Sequence, residues 1–196
     1  MLELVFVVVV IGILAAVAIP RLERDNSAEA AYQIARHIRL AQHHALVDDK
    51  YENGNPDWKG KMWAITFRTS KYCYAVYTNL DYPTGTQADE NESAIDPLTK
   101  KRLYSDTNCN ESNARTDDVL LWKSFGVNNI AMSTGCGPNN QILFDNLGRP
   151  YGSVGNLLND NCVITIQTDN GHSAEITVYK DTGFVKVTKI DASTLP

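Results

Sequence analysis

With 196 residues and 43% hydrophobic side chains, the chain is long enough for one domain with a real core plus an extended appendage. Its formal net charge is −5, of which Glu3 supplies one negative charge, leaving −4 for everything after Pro20. That mildly acidic balance argues against broad nucleic-acid binding, which relies on clustered Lys and Arg to neutralise phosphates.

Residues 4–19 contain no charged or polar side chain. As a helix this run spans about 24 Å at roughly 1.5 Å per residue, short of a hydrocarbon core of about 30 Å unless Met1, Leu2 or upstream residues extend it. A secretory signal peptide is the competing reading. Its apolar region does not normally begin at an acid such as Glu3, and Ala16-Val17-Ala18 would have to serve as the cleavage site. Glu3 is the informative residue. A carboxylate in an apolar run costs about 2.5–3.5 kcal/mol, so it reads as a functional group whose partner is a cation within the same layer.

The run Glu3-Leu4-Val5-Phe6-Val7-Val8-Val9-Val10-Ile11-Gly12-Ile13-Leu14-Ala15-Ala16-Val17-Ala18-Ile19-Pro20 resembles the N-terminal signature of type IV pilins and type II secretion pseudopilins. The resemblance implies that Glu3 pairs with the free N-terminal amine of a neighbouring subunit during filament assembly. It implies that the apolar stretch anchors the subunit in the inner membrane and then forms the filament core. Residues 12–20 match the stretch that can lose helicity in assembled filaments. The residue chemistry agrees: Gly12 weakens a helix by about 1 kcal/mol, and Pro20 lacks a backbone donor and clashes with the preceding turn. The family also has a short basic leader ending in Gly. This chain opens Met1-Leu2-Glu3 instead, so further residues are expected ahead of Met1 and no processing site is assigned. Arg21 and Arg24, taken alone, would orient the N-terminus outward, opposite to the family.

Beyond Pro20, residues 26–47 carry helical periodicity. Ser27 is the expected N-cap, and Ala31, Ile34, Ala35, Ile38, Ala41 and Ala45 form an apolar stripe small enough for close approach to a sheet. Arg36, Arg39, Asp48 and Asp49 are expected to face outward. From Lys50 onward the pattern is β. Trp63, Ile65 and Phe67 alternate with Ala64, Thr66 and Arg68, and residues 72–78 follow a tight Ser70-Lys71 turn, which predicts a hairpin. Residues 80–113 read as a long polar loop, and residues 119–122 and 142–144 as short strands. Residues 162–167, 174–180 and 184–190, separated by Asp169-Asn170-Gly171 and Asp181-Thr182-Gly183, predict a three-stranded meander; Asn-Gly is a strong hairpin dipeptide because both positions tolerate positive φ.

Cys73, Cys109, Cys136 and Cys162 lie 36, 27 and 26 residues apart without a C-x-x-C pair, so zinc ligation is a poor reading. Behind a membrane-inserting segment an even count suits two disulfides. Sequential pairing, Cys73–Cys109 and Cys136–Cys162, is the expectation among three connectivities. Four buried free thiols in a cytosolic protein are the alternative.

The head resembles the minor pseudopilins of the H class and related minor type IV pilins. The carrying stretches are residues 35–45, Ile142-Leu143-Phe144-Asp145-Asn146-Leu147-Gly148-Arg149-Pro150, and residues 164–187 around the Gly183 turn. The Trp-Gly-x-Pro-type loop of major pseudopilins is missing from the sequence. The resemblance implies an α+β, pilin-like fold. Residues 1–20 would be a transmembrane and assembly half-helix, residues 21–49 an amphipathic half-helix on the head, and residues 50–196 a β-rich periplasmic head.

Other motifs have plainer readings. Cys136 with His172 as base would make a nucleophile, but no organising acid is specified. His43-His44 lacks the spacing of an H-E-x-x-H site and reads as a solvated helix face. Asp81, Asp89, Glu90, Glu92 and Asp96 could hold calcium, although their spacing fits no fixed template and acidic loops are usually just solvated. Asp89-Glu90-Asn91-Glu92-Ser93 matches the acid-extended sequon of bacterial N-glycosylation at Asn91, whereas Asn110-Glu111-Ser112 matches only the short form. The expected protein is a non-enzymatic minor subunit of a type II secretion pseudopilus. Its partners would be other pilin or pseudopilin subunits, the inner membrane and a prepilin peptidase, with no cofactor and no small-molecule substrate. The alternative is a minor type IV pilin for pilus assembly or DNA uptake, whose DNA-binding relatives carry a basic C-terminal motif where this chain has Lys186 and Lys189.

Overall fold

The computed structural model describes residue 5 and residues 7–13, 26–84 and 89–190. Residues 5 and 7–13 are helical, and a second helix, α1, runs Asn26–Val47. Whether the two join into one long helix is a matter for residues 14–25, which lie outside the described set. Strands β1 (Trp63–Arg68), β2 (Cys73–Tyr77), β4 (Gln141–Phe144), β5 (Pro150–Ser153) and β6 (Asn156–Leu157) form one sheet in the order β2-β1-β4-β5-β6. Strands β3 (Val127–Met132), β7 (Cys162–Thr168), β8 (Ser173–Val178) and β9 (Val185–Ile190) form a second, in the order β3-β7-β8-β9. The pairings within both sheets are antiparallel, so the described part is α+β with two antiparallel sheets.

The apolar stripe of α1 does what its periodicity predicts: Ala31, Ile34, Ala35, Ile38, Ala41 and Ala45 are buried, joined by Ala30, Ser27 and His37. The alanines let the helix lie close to β1, β2 and β4 of one sheet and β7, β8 and β9 of the other. Both sheets therefore share one core roofed by α1. Ser27 lies within the described helix and is buried, so it is a helical core residue and not the N-cap that the sequence suggests. Strand β7 alternates buried and half-buried residues, as a one-sided sheet requires. Strand β1 is buried on both faces, because Met62, Ala64, Leu143 and Tyr151 pack with Trp58 on the side away from α1.

Gln42 joins the two sheets at one end of the helix. Its Nε2 donates to the Gly148 carbonyl in the β4–β5 turn at 2.9 Å and to the Thr182 carbonyl in the β8–β9 turn at 3.0 Å. Gly183, at φ +67°, has to be glycine there: a Cβ would stand 2.5 Å from Gln42 Nε2 and 2.7 Å from the Gly148 carbonyl oxygen.

Three further expectations, on the strands and the long loop, are corrected. Residues 119–122 are not a strand. A 3₁₀ turn (Asp117–Val119), capped by the Thr116 hydroxyl accepting from the Asp118 amide, leads into the short helix α2 (Leu121–Phe125). Residues 80–113 are not simply a solvated loop. Backbone bonds from Val76 to the Leu103 carbonyl and from Ala94 to the Val76 carbonyl lay this segment along the outer edge of β2, and Ala94, Asp96, Leu103 and Ser105 are buried beneath it. Covering an edge strand in this way removes a template for unwanted pairing. Finally, β3, β5 and β6 join the sheets where the sequence reading assigns no strand.

The disulfides are Cys73–Cys109 and Cys136–Cys162. The first ties β2 to the edge-covering segment. The second ties the turn after β3 to the start of β7.

Candidate assembly surface

Residues 5 and 7–13 form an apolar helical stretch whose side chains are left largely uncovered by the other described residues. Val5, Val7, Val8, Val9, Val10, Ile11 and Ile13 are between 37% (Val10) and 62% (Val5) exposed, and a Cβ on Gly12 would meet nothing within 4 Å. These side chains point to every side of the helix, and none is polar. A helix apolar all round is stable only when surrounded by lipid or by other helices. Covering these seven half-exposed side chains is worth on the order of 5–10 kcal/mol, at roughly 1 kcal/mol or more each.

Glu3 and Pro20, the proposed register and kink residues, and Arg21 and Arg24 lie outside the described residues. Gly12 lies in the helix. Among the described residues no helix is long and apolar enough to cross a membrane; the described part of the first one ends at residue 13.

Helix α1 is held to the head by a polar cluster that the apolar stripe does not reveal. His37 is fully buried. Its Nε2 accepts from Arg36 Nη2 at 2.9 Å, which leaves Nδ1–H to donate to the Tyr74 hydroxyl at 2.6 Å. Tyr74 in turn donates to the Asp118 carbonyl at 3.2 Å, which also accepts from Gln33 Nε2 at 2.6 Å. Arg36 reaches the buried Asp96 carboxylate at 3.3 Å. Burial, and then the neighbouring Arg36 charge, push His37 down to about 4, so it is neutral at physiological pH. Burial also pushes Tyr74 up. Burial works against the Asp96 charge, but the Leu98 amide, Arg36 and the Thr99 hydroxyl together hold its carboxyl below the ordinary range. Arg36, expected to point into solvent, spans from the helix surface to this cluster. Arg39 is exposed, with Nη2 donating to the Val185 carbonyl at 2.8 Å.

At the far end of α1, Asp48 accepts from Trp63 Nε1 and from Lys50 Nζ, each at 2.8 Å. His44 stacks on the Trp63 ring with centroids 4.4 Å apart, which corrects the reading of His43-His44 as one solvated face: His43 alone is exposed. The outward side of α1 presents Tyr32, Arg39, His43, Leu46 and Val47.

The acidic residues of the long loop do not gather. Asp96 goes inward to Arg36, Glu90 pairs with Arg115, and the Glu92 carboxylate accepts from the Leu80 and Asp89 amides at 2.8 Å each. Among the described residues no three His, Cys, Asp or Glu side chains converge as metal ligands would. Cys136 is bonded to Cys162, so it has no thiol to act as a nucleophile. Asn91 is exposed in a 3₁₀ turn (Glu90–Glu92). His37 is the residue that the sequence reading passes over, and Asp96 is read there only as one of the loop acids; an acid followed within three residues by Thr99 and answered by a helical Arg-His pair is the trace this cluster leaves in the sequence.

No protein-family model matches the chain, and no curated protein does. Among solved structures, the chain is similar to the minor pseudopilin EpsH from the type 2 secretion system of Vibrio cholerae. The two are 9% identical with a TM-score of 0.45, over 84% of this chain and 98% of that one.

Proposed function

We propose that this chain is a structural subunit of a pilin-like filament, of the minor pseudopilin kind that serves type II secretion. It is held in the inner membrane by its N-terminal helix before assembly, with its head in the periplasm. The observation that carries this reading is the bare apolar stretch at residues 5 and 7–13, set against a head whose own core is complete under α1. A soluble enzyme has no use for an uncovered, uncharged helix. A filament subunit does: its apolar side chains leave lipid and enter a core of like helices, so their burial is kept while the head moves outward.

Glu3 supplies register in this scheme. Its carboxylate finds a cation only when a neighbouring N-terminal amine lies alongside, and a buried charge without a partner is expensive enough to enforce that stagger. The two disulfides suit a head that works in an oxidising compartment. The test is to express Glu3→Ala and Glu3→Val variants with the secretion machinery and to recover sheared filaments. Both heads are expected to fold, with intact disulfides and unchanged urea midpoints, while incorporation into filaments falls sharply. Normal incorporation of both variants overturns the register role, and wild-type chain found only as a soluble, N-terminally shortened head overturns the filament reading.

A further inference from the structure

The sequence offers two N-x-S sites, and the structure treats them in opposite ways. Asn110, Glu111 and Ser112 are all exposed, but the residue two before the asparagine is the neutral Asn108. Asn91 is exposed, with the exposed acid Asp89 two residues before it. Its acceptor partner Ser93 is buried at 4% exposure, and the Ser93 hydroxyl donates to the Glu90 carbonyl.

Around Asn91 the backbone is stitched down. Arg102 Nη1 donates to the Asn91 and Ser93 carbonyls at 3.0 Å each, Thr78 donates its amide to the Glu92 carbonyl at 3.2 Å, and Tyr77 and Ser93 form an isolated antiparallel bridge. The Glu90–Arg115 pair closes the outer side. Within the Glu90–Glu92 turn, Glu90 and Glu92 both use their carboxylates, whereas Asn91 is exposed and its side-chain amide makes no hydrogen bond among the described residues.

We infer that Asn91 is an N-glycan acceptor that is modified before the loop closes on β2 and then carries its glycan outward from the finished head. In the transfer, the Asn91 side-chain nitrogen attacks the anomeric carbon of a polyprenyl-pyrophosphate-linked oligosaccharide. A C–N bond forms, the sugar–phosphate C–O bond breaks, the pyrophosphate leaves with the electron pair, and the amide gives up one proton. The enzyme has to read the hydroxyl two residues after the asparagine. In the folded head that hydroxyl is buried and committed to Glu90, so the native chain presents the acceptor nitrogen without its recognition partner. The finished fold nevertheless accommodates the sugar, because Asn91 is exposed. The inference requires only that the chain be exported, and it is separate from filament assembly.

The experiment incubates the full-length chain with a bacterial oligosaccharyltransferase that selects acid-flanked sequons and an undecaprenyl-pyrophosphate-linked oligosaccharide. One arm uses native chain in detergent. The other uses chain reduced and carboxymethylated so that neither disulfide can re-form. Intact mass and peptide mapping are expected to show one glycan at Asn91 in the unfolded arm and none in the native arm. Asn91→Gln, Ser93→Ala and Asp89→Asn each remove it, and Asn110→Gln leaves it in place. No glycan in the unfolded arm, or a glycan at Asn110 instead, overturns the site. Equal modification of both arms overturns the order of modification and folding.

Discussion

The stretch at residues 7–13 and helix α1 are both helical and both rich in small or branched apolar side chains, yet they meet opposite surroundings. Ile34 and Ile38 of α1 are fully buried against the two sheets, whereas Ile11 and Ile13 are 60% and 59% exposed. Apolarity alone does not decide which side chains a head buries. The α1 stripe covers one side and leaves Arg39 and His43 outside, so one head can satisfy it. The first stretch is apolar on all sides, and no single head can satisfy that. One helix therefore belongs to the stability of the head, and the other, under the proposed function, to the filament.

The comparison can be broken most sharply by placing the same charge on both helices. Ile34→Asp buries an unpaired carboxylate and is expected to destabilise the head by about 4 kcal/mol or more, enough to prevent folding in a marginal domain. Val9→Asp is expected to leave the urea midpoint of the head unchanged while weakening partition into vesicles roughly 100-fold, from about 2.5–3.5 kcal/mol for a charge at membrane depth. A shifted midpoint in Val9→Asp would mean that the two helices share an interface after all.

Removing a disulfide should act on the head alone. Cys136→Ser with Cys162→Ser opens a loop of 26 residues and is expected to cost about 3–4 kcal/mol in urea denaturation, with vesicle partition unaltered. Acidification comes next. His37 has a folded value of about 4 against 6.5 when unfolded, so the unfolded chain takes up the proton first as pH falls. Its contribution is complete above about pH 6.5, declines between 6.5 and 4 by about 3 kcal/mol, and is flat below that. Stability measured by urea titration across that range should lose most of this slope in His37→Gln, and an unchanged slope would remove His37 from the cluster's pH response. Gln42→Ala is the smallest change. Losing the bonds to Gly148 and Thr182 is expected to cost about 1–2 kcal/mol and to show first as faster hydrogen exchange in the β8–β9 turn.

Much of this contrast was legible in the residues. The 3.6-residue spacing of Ile34, Ile38, Ala41 and Ala45 located α1, the alternation around Ile65 located the β1–β2 hairpin, and the Asn170-Gly171 and Thr182-Gly183 turns located the β7–β9 meander. The rest was hidden for physical reasons. Adjacent Asn128 and Asn129 break the alternation of β3, where the register itself shifts between Val127 and Asn129. Pro150, Gly152 and Gly155 punctuate β5 and β6 as if they were loop. Asp96 reads as a solvated loop acid, and only the fold brings it across to Arg36, sixty residues away in the chain. His37 interrupts the expected stripe because a period counts apolar residues, whereas a buried imidazole is stabilised by hydrogen bonds from separate elements. At residues 7–13 the apolar signature was plain in the sequence, and the head leaves it uncovered.

The most direct measurement places a photo-crosslinking amino acid at Val9 of the full-length chain, expressed with its secretion machinery, followed by irradiation and mass spectrometry of sheared filaments. The expected result is an adduct between position 9 and the apolar N-terminal segment of another pilin-like subunit, with position 9 retained in the assembled chain. A mature chain that lacks position 9, or one that retains it and crosslinks only to lipid in filament-forming cells, would contradict a role for this helix in filament assembly.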